Sequence, residues 1–374
     1  MNAQSIARND RPPPARPAPS GTESLELLDG GTEAYPRMLL AIENATTSVY
    51  LEVYAFAPTG VGHRFIVALG DAARRGVHVS VILDAWGSAL GGIRVAEALG
   101  DAGCKVQIYN GLSALLRGRF GRNHRKVLLV DDNIAFIGGI NIGDENLHRG
   151  KRFGWADLAL EIKGPQCARL GPLLRGESSP YVEHALQLYL SGIGGGWRLR
   201  NRYLRALSSA KKSILLAHGY FLPDRRIVRA LTDAAKRGVS VQLLLSGDSD
   251  VPFARFATRS LYRTLLDSGV EIHEWQASVL HAKVAVVDGS SLLVGSFNLD
   301  PFSLANLEVL VEVREPNVVE QGETWIRDHF SRAHNATVEE ASSWIQRTLL
   351  DPFGRLIAHV VEILSRMIVR RRRP

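Results

Sequence analysis

The feature that most constrains this chain is a pattern of six residues that occurs twice. In each copy a Lys follows a His by two positions, an Asp by seven, two small residues by fourteen and fifteen, and an Asn by seventeen. The two copies are His124, Lys126, Asp131, Gly138, Gly139 and Asn141, and His281, Lys283, Asp288, Gly295, Ser296 and Asn298. Identical spacing at every position is hard to obtain by chance, so we interpret the chain as a duplicated domain.

The similarity between the two copies extends beyond the pattern and predicts the fold. Residues 72–79 correspond to 234–241, and in each a helix ends at glycine and a β-branched strand follows at once. The short apolar runs 127–130 and 284–287 directly follow the His-Lys pairs and have the composition of buried strands. Because strands alternate with helices, we expect an α/β fold of two pseudo-symmetric halves, each a mixed β-sheet flanked by helices.

Composition sets the boundaries of this organisation. The 374 residues are 45% hydrophobic, enough to bury two cores. We predict a disordered Pro- and Arg-rich tail over 1–24, the first half over 25–170, a linker over 171–197, the second half over 198–335, and an amphipathic basic helix region over 336–374. The tail lacks the apolar segment of a signal peptide.

Metal and cofactor chemistry are not indicated by the sequence. The two cysteines, Cys104 and Cys167, are far apart and form neither a zinc site nor a disulfide framework. No group of His, Asp or Glu has metal-ligand spacing. We therefore expect a reaction without a metal and without a cofactor.

The distribution of charge points to an anionic partner. The formal net charge is +7 and the isoelectric point is near 9.5, which suits a phospholipid surface or a nucleic acid. Arg117, Arg119, Arg122 and Arg125 lie close to His124 in the sequence, interleaved with apolar residues, and 370–373 is a run of four arginines. A solvated charged face is the alternative interpretation of both clusters.

The C-terminal segment has the pattern of an amphipathic helix. Asp351 is a candidate N-cap, and Pro352 suits the first helical turn. The apolar positions recur on one face: Phe353, Leu356, Ile357, Val360, Ile363, Leu364, Met367 and Ile368. Such a helix ending in arginines is typical of a segment that lies on an anionic membrane, although a helix packed on the domain has the same pattern. No apolar run approaches the roughly 20 residues of a membrane span, so we expect no transmembrane helix.

Two histidines, each with its own lysine, suit exchange at a phosphodiester in two displacements. One imidazole attacks phosphorus while the other protonates the departing alkoxide, and the second imidazole then deprotonates the incoming alcohol or water. An ordinary imidazole pKa near 6.5 allows both roles near neutral pH. The residues leave open which histidine is the nucleophile.

Other residues of the repeat are candidates for supporting roles. Asn141 and Asn298, with Gly139 and Ser296 beside them, are candidates to hold the phosphate oxygens. The acids Asp157 and Glu308 occupy equivalent positions in the two halves and are candidates to orient an imidazole. We place Asp131 and Asp288 with the catalytic pattern but expect them to be structural, because a strand separates each from its histidine.

The two H-x-K-x4-D-x6-G-[GS]-x-N copies resemble those of the phospholipase D superfamily over about residues 25–335. Within it, the stretches 137–141, 157–160 and 295–303 are most similar to bacterial cardiolipin synthases of the shorter B type. The resemblance implies two α/β halves with the active site at their interface and a covalent phosphohistidine without a metal. It also implies transfer of a phosphatidyl group from one phospholipid to phosphatidylglycerol.

The resemblance leads us to expect a cardiolipin synthase-like phosphatidyltransferase. We expect it to bind phospholipid substrates and an anionic membrane surface, as a peripheral protein on the cytoplasmic side of the bacterial inner membrane. The donor, phosphatidylglycerol or phosphatidylethanolamine, is not determined by the sequence. A hydrolytic phospholipase D is the main alternative, and a phosphodiesterase acting on nucleic acid is less favoured because apolar residues flank the approach to His124.

Overall fold

A computed structural model describes most of the chain. It covers residues 24–88, 91–111, 121–148, 153–174, 185–192, 195–248 and 252–341, and positions 352, 353, 356, 359 and 363. The predicted N-terminal tail up to residue 23 lies outside the described residues.

The first half contains strands and helices in the alternation that the sequence predicts. Its elements are β1 (Ser24–Asp29), α1 (Gly30–Glu43), β2 (Ser48–Val53), α2 (Val61–Arg74), β3 (His78–Asp84), α3 (Gly92–Asp101), β4 (Lys105–Tyr109), β5 (Val127–Val130), β6 (Ile134–Gly138), β7 (Leu158–Lys163) and α4 (Cys167–Leu174). A single 3₁₀ turn, Asp144–Asn146, lies between β6 and β7.

The second half repeats this order and adds a short C-terminal strand and helix. Its elements are β8 (Leu186–Leu190), α5 (Trp197–Ser209), β9 (Ser213–His218), α6 (Arg225–Lys236), β10 (Ser240–Ser246), α7 (Pro252–Arg259), α8 (Tyr262–Leu266), β11 (Glu271–Trp275), β12 (Lys283–Val287), β13 (Ser291–Gly295), β14 (Val309–Val313), α9 (Pro316–Phe330), β15 (His334–Asn335) and α10 (Val338–Ala341).

The two sheets have matching topology within the described residues. The first has the strand order β1-β7-β6-β5-β2-β3-β4 and the second the order β15-β11-β10-β9-β12-β13-β14-β8. In each sheet three strands run parallel, β2-β3-β4 or β9-β10-β11, and the His-bearing hairpin joins them antiparallel through β5 or β12. The predicted fold class, two pseudo-symmetric halves each built on a mixed sheet, is therefore confirmed.

Strand β8 lies within the range for which the sequence predicts a linker. It pairs antiparallel with β14, with Leu190 opposite Val309 and Leu186 opposite Val313. In the first sheet β1 pairs in the same way with β7. The segment between the halves thus supplies the second sheet with the counterpart of β1.

The halves pack through the facing sides of their sheets. Leu129, Ile137 and Leu160 of the first sheet belong to the same buried cluster as Val284 and Val294 of the second. Each half also has its own core on the opposite side of its sheet, against α1–α3 or against α5 and α6. Burial of each such Leu, Ile or Val side chain contributes roughly 1.5–3 kcal/mol, so the interface is held by the same apolar packing as each half.

Helix α9 ties the second half to the first strand of the chain. The Trp325 indole donates a hydrogen bond to Asp29 Oδ1 (2.8 Å), and the Leu27 amide donates to Gln321 Oε1 (2.9 Å). The two halves therefore form one continuous unit, in which the ends of β5 and β12 meet between the sheets.

The described positions near the C-terminus are helical and exposed. Phe353, Leu356 and Ile363 are 44%, 59% and 44% exposed, and the Phe353 ring lies 6.0 Å from that of Phe256 in α7. The rest of the predicted apolar face (Ile357, Val360, Leu364, Met367 and Ile368), Asp351 and the arginines 370–373 lie outside the described residues. In the part of the chain that the structure describes, every helix is too short or too polar to cross a bilayer.

Candidate active site

Each histidine is positioned by a backbone bridge to the opposite half. The His124 amide donates to the Leu307 carbonyl (2.9 Å), and the Leu307 amide donates to the Arg122 carbonyl (2.8 Å). The second copy is equivalent, since the His281 amide donates to the Ala156 carbonyl at 2.8 Å. The segment before each histidine is therefore paired with the segment before the acid of the other half.

Because of this backbone pairing, each histidine lies next to the acid of the other half. His124 Nδ1 lies 3.0 Å from Glu308 Oε2, and His281 Nδ1 lies 2.7 Å from Asp157 Oδ2. All four side chains are buried, with both carboxylates at most 1% exposed. A carboxylate at Nδ1 favours the tautomer that carries its proton there and leaves Nε2 for chemistry. Neither half holds a complete His–acid pair of its own.

The two lysines flank the imidazoles in equivalent surroundings. Lys126 Nζ donates to the His124 carbonyl (2.8 Å), and Lys283 Nζ donates to the His281 carbonyl. Each ammonium also lies over a tyrosine ring, Lys126 over Tyr54 at 5.0 Å and Lys283 over Tyr220 at 5.8 Å. The two lysines thus place an ammonium donor beside each imidazole, an arrangement suited to binding a phosphate.

Burial and the lysine charges shift the pKa values of the site. Burial, followed by the charges of Lys126 and Lys283, lowers the pKa of His124 well below its usual value. Burial and the charge of Lys283 likewise lower the pKa of His281. Burial lowers the pKa of Lys126 to about 7 and raises that of Glu308 to about 7. Both imidazoles are therefore neutral near pH 7 without substrate, and an anionic phosphate would raise their pKa values.

The two copies differ in what lies against each acid. A Cβ added at Gly139 would be 2.3 Å from Asp157 Oδ1, so there is no room there for a side chain. At the equivalent position of the second half, the Ser296 hydroxyl donates to Glu308 Oε2, the oxygen that also faces His124. Glu308 is one methylene longer than Asp157, and this extra length accommodates the serine.

Asn141 and Asn298 are both buried next to the site but have different partners. Asn141 Oδ1 accepts a hydrogen bond from the Ala55 amide (3.2 Å), whereas the Oδ1 of Asn298 has no partner among the described residues. The backbone amide of Asn298 donates to the Ser303 hydroxyl (3.2 Å). Among the described residues, the side-chain oxygen of Asn141 therefore has a backbone partner and that of Asn298 has none.

Comparison with known proteins agrees with this geometry. A family model described as "Cardiolipin synthase, PLD-like domain" matches residues 38–164 and 203–330, one copy in each half. The chain belongs to this family. Its members are phospholipase D-type phosphatidyltransferases, and the expected resemblance is confirmed.

Individual relatives carry the same name. Cardiolipin synthase B of Salmonella typhi is 34% identical over 315 residues, which span 76% of this chain and 75% of the relative. Cardiolipin synthase B of Escherichia coli (strain K12) is 31% identical over 330 residues, spanning 78% and 76% of the two chains. The cardiolipin synthase of Geobacillus sp. (strain WCH70) is 33% identical over 317 residues, spanning 78% and 63%.

Solved structures support the fold alone. The phosphatidylserine synthase of Haemophilus influenzae Rd KW20 has a TM-score of 0.69 at 14% identity, covering 92% of this chain and 94% of its own. The polyphosphate kinase of Porphyromonas gingivalis has a TM-score of 0.57 at 15% identity, covering 92% and 56%. The arrangement of two sheets around one cleft is thus shared with proteins of distant sequence.

In this cardiolipin synthase-family chain, Asp131 and Asp288 lie at the far end of the strands from the histidines. Both have positive φ, 53° and 56°, and form tight turns after β5 and β12. The Asp131 carboxylate accepts from the amides of Thr46, Thr47 and Ser48, each at 2.8 Å. Asp288 accepts equivalent bonds from residues 211–213. These contacts support a structural role for both aspartates.

Several aromatic residues of the site were not predicted from the sequence. The Tyr54 ring packs edge-on against His124 (4.8 Å), and the Tyr220 ring packs edge-on against His281 (5.8 Å). Trp155 adds a third ring, 5.2 Å from His281. The two tyrosines are offset by one position when the copies are aligned, so comparison of the repeats did not reveal them.

The arginines near His124 divide into two groups. Arg117 and Arg119 lie outside the described residues. Arg125 is buried, and its guanidinium donates to the Ser191 carbonyl (2.7 Å) and lies 3.6 Å from Glu52 Oε1. Arg122 is partly exposed at the edge of the site. Arg125 therefore joins structural elements, whereas Arg122 stays partly accessible to solvent.

Proposed function

We propose that this chain transfers a phosphatidyl group from a phospholipid to the hydroxyl of phosphatidylglycerol, producing cardiolipin through a phosphohistidine intermediate. The crossed pairs, His124 with Glu308 and His281 with Asp157, carry this proposal. They place two equivalently oriented imidazoles in one buried site, which suits two displacements at a single phosphorus. The names of the relatives support cardiolipin as the product.

In the first displacement, Nε2 of one neutral imidazole attacks phosphorus and the bond from phosphorus to the headgroup oxygen breaks. The other imidazole, protonated at Nε2, gives its proton to that oxygen, so the headgroup leaves as an alcohol. In the second displacement this imidazole takes the proton of the acceptor hydroxyl. The acceptor oxygen then bonds to phosphorus, and the nitrogen–phosphorus bond breaks.

The remaining residues of the pattern would stabilise charge on the phosphate. Lys126 and Lys283 are both buried beside the histidines, where a charge interacts more strongly than in water. The unpartnered Oδ1 of Asn298 suits a hydrogen bond from a substrate hydroxyl. Asp157 and Glu308 hold the imidazoles through both displacements and stabilise the protonated form of each.

The direct test is to incubate the purified chain with vesicles of labelled phosphatidylglycerol and to separate the lipid products. Cardiolipin and free glycerol are the expected products. His124→Ala and His281→Ala should each lower turnover by at least about 10²-fold, because one imidazole cannot complete both displacements. His63→Ala, at an exposed position of α2, is the matched control and should keep full activity. Phosphatidic acid as the main lipid product would instead indicate a hydrolase.

The intermediate requires its own experiment. Acid-labile phosphate should appear on His124 or His281 when the reaction is quenched and the peptides are mapped. If a single-turnover reaction forms product with no phosphohistidine at any time point, the two-step mechanism is wrong, even where cardiolipin is made.

We further propose that the chain acts as a peripheral protein on the cytoplasmic side of the bacterial inner membrane, docked in part by its C-terminal helix. The exposed apolar side chains of Phe353, Leu356 and Ile363 support this placement. Deleting 351–374 should weaken flotation with anionic vesicles and spare turnover of detergent-dispersed substrate. If vesicle flotation and turnover of detergent-dispersed substrate fall together, the helix belongs to the folded core.

A further inference from the structure

One of the positions at which the two copies differ in charge lies two residues before each histidine. The first copy has Arg122 there, and the second has Val279. The reacting phosphate is approached from both sides by equivalent groups, so a symmetric centre suits it. The two lipids are not equivalent, because one supplies the phosphatidyl group and the other attacks. A residue that differs between the copies and lies beside the centre can therefore distinguish them.

Two neighbouring side chains hold the Arg122 guanidinium in place. It stacks over the Trp86 ring (4.8 Å), and its Nη1 donates to the Tyr54 hydroxyl (2.9 Å). Tyr54 in turn packs against the His124 ring at 4.8 Å. The Asp84 carboxylate fixes both sides of this arrangement by accepting from the Trp86 amide (2.9 Å) and the Asn123 amide (2.7 Å). The guanidinium is thus one tyrosine ring away from the catalytic imidazole.

Among the described residues, Arg122 has no carboxylate within 4.0 Å, although its charge lowers the pKa of the nearby Asp84 against the opposing effect of burial. Trp86 beneath it is 60% exposed, so the guanidinium lies at the open edge of the site. Arg125, three residues later, is the contrast, because its guanidinium is already bound to Ser191 and Glu52. A planar, weakly hydrated cation with available donors is well suited to bind a phosphate.

We infer that Arg122 binds the phosphate of the acceptor phospholipid, the phosphate that does not react. The inference rests on the proposed function, since only a phospholipid acceptor brings a second phosphate. In the product the two phosphates are joined by a three-carbon glycerol bridge, so the second phosphate must lie one glycerol unit from the reacting centre. Lys126 lies over the ring of Tyr54, and Arg122 binds the hydroxyl of the same tyrosine, so Arg122 is separated from the proposed site of the reacting phosphate by that ring.

The test compares an anionic acceptor with a neutral one in the same enzyme. Vesicles of phosphatidylglycerol are incubated with and without 1-butanol, and cardiolipin and phosphatidylbutanol are quantified separately. Arg122→Gln should raise the KM for phosphatidylglycerol as acceptor by about tenfold or more, as expected for loss of a charge-assisted hydrogen bond. Formation of phosphatidylbutanol should stay within about twofold of wild type, because butanol carries no phosphate.

Two further variants separate local recognition from general charge. Arg122→Lys keeps the charge but loses the planar donor pair, and it should fall between wild type and Arg122→Gln. Arg332→Gln removes an exposed arginine that also stacks on an aromatic ring, 5.7 Å from Phe153, and should leave the ratio of the two products unchanged.

The outcomes are distinguishable. Equal loss of cardiolipin and phosphatidylbutanol in Arg122→Gln would overturn the inference, because Arg122 would then support the shared chemical step or the fold. An equal change in the product ratio in Arg332→Gln would also overturn it, since membrane charge would explain the effect. A wild type that forms phosphatidylbutanol and phosphatidic acid but no cardiolipin overturns the proposed function itself.

Discussion

Replacing Gly139 by serine should separate Asp157 from His281. A Cβ at position 139 would lie 2.3 Å from Asp157 Oδ1 and 2.5 Å from Oδ2, closer than real Cβ atoms approach other atoms. The carboxylate must then move by roughly 1 Å, since buried groups are close-packed. Its hydrogen bond to His281 Nδ1, 2.7 Å in the wild type, would be lost or badly aligned.

The size of the effect follows from the role of the carboxylate. Removing the acid that orients a catalytic histidine lowers kcat by about 10⁴-fold in serine proteases. Because Gly139→Ser displaces the acid rather than deleting it, we expect a fall in kcat of about 10³-fold with little change in KM. Gly139 does not have a left-handed φ, so the backbone itself accepts a side chain.

The rescue experiment is the decisive part of this prediction. The double variant Gly139→Ser with Asp157→Glu reproduces the Ser296 and Glu308 combination of the other copy, in which the longer acid accommodates the serine. The kcat of the double variant should be at least about tenfold higher than that of Gly139→Ser, measured as cardiolipin formed per folded enzyme. Ser296→Gly is the matched control and should cost tenfold or less, because the bond from His124 to Glu308 (3.0 Å) does not depend on it. A Gly139→Ser variant with more than a tenth of wild-type kcat would refute the reasoning.

Three further predictions follow from the structure. Asp131→Asn should lower the free energy of unfolding by about 1–3 kcal/mol in urea titrations, with kcat of the folded fraction unchanged, because its carboxylate caps three amides rather than touching substrate. The pKa of Glu308 is raised to about 7 from 4.5, so the stability gained by its protonation is lost as pH rises from about 4.5 to about 7; the Tm of Glu308→Gln relative to wild type should therefore rise between about pH 5 and pH 7 and level off above it, and a flat difference over that range would contradict this. EDTA should leave turnover unchanged with lipid presentation controlled, because Lys126 and Lys283 supply positive charge at the phosphate, and recovery of lost activity by one specific divalent ion would contradict this.

The fold was predictable because both copies carry the same local patterns. The apolar runs after each His-Lys pair form strands buried throughout, and the helices that end at Gly76 and Gly238 lead directly into β3 and β10. Strand β8 was not predicted, although its leucines alternate with Gln187 and Tyr189 as in a strand, because the five residues form a short run within a Gly-rich segment. Its position is determined by the free edge of β14, a tertiary partner that local sequence does not reveal.

For the candidate site, the sequence indicated the charged and polar residues but neither the aromatic residues nor the pairing of each histidine with an acid. Equal spacing in the two copies identified Asp157 and Glu308 as candidate orienting acids, yet it is equally compatible with pairing inside each half or between halves. The structure selects the crossed arrangement because the backbone before each histidine pairs with residues 156 and 307 of the opposite half. Pairing between segments so distant in sequence depends on how the two sheets pack, and no local signal encodes it.

The crossed acids explain how duplication and asymmetry coexist in one site. Each half has its own core, but its histidine has an acid only when the other half is in place, so the proposed two-histidine chemistry depends on the interface between the sheets. A shift of either half would therefore disturb both His–acid pairs at once, because each half supplies the histidine of one pair and the acid of the other. Arg122 and Val279 are among the positions at which the two copies differ. The proposed reaction treats one phosphorus alike from both sides but must tell two lipids apart, and an arginine present in only one copy suits that second task.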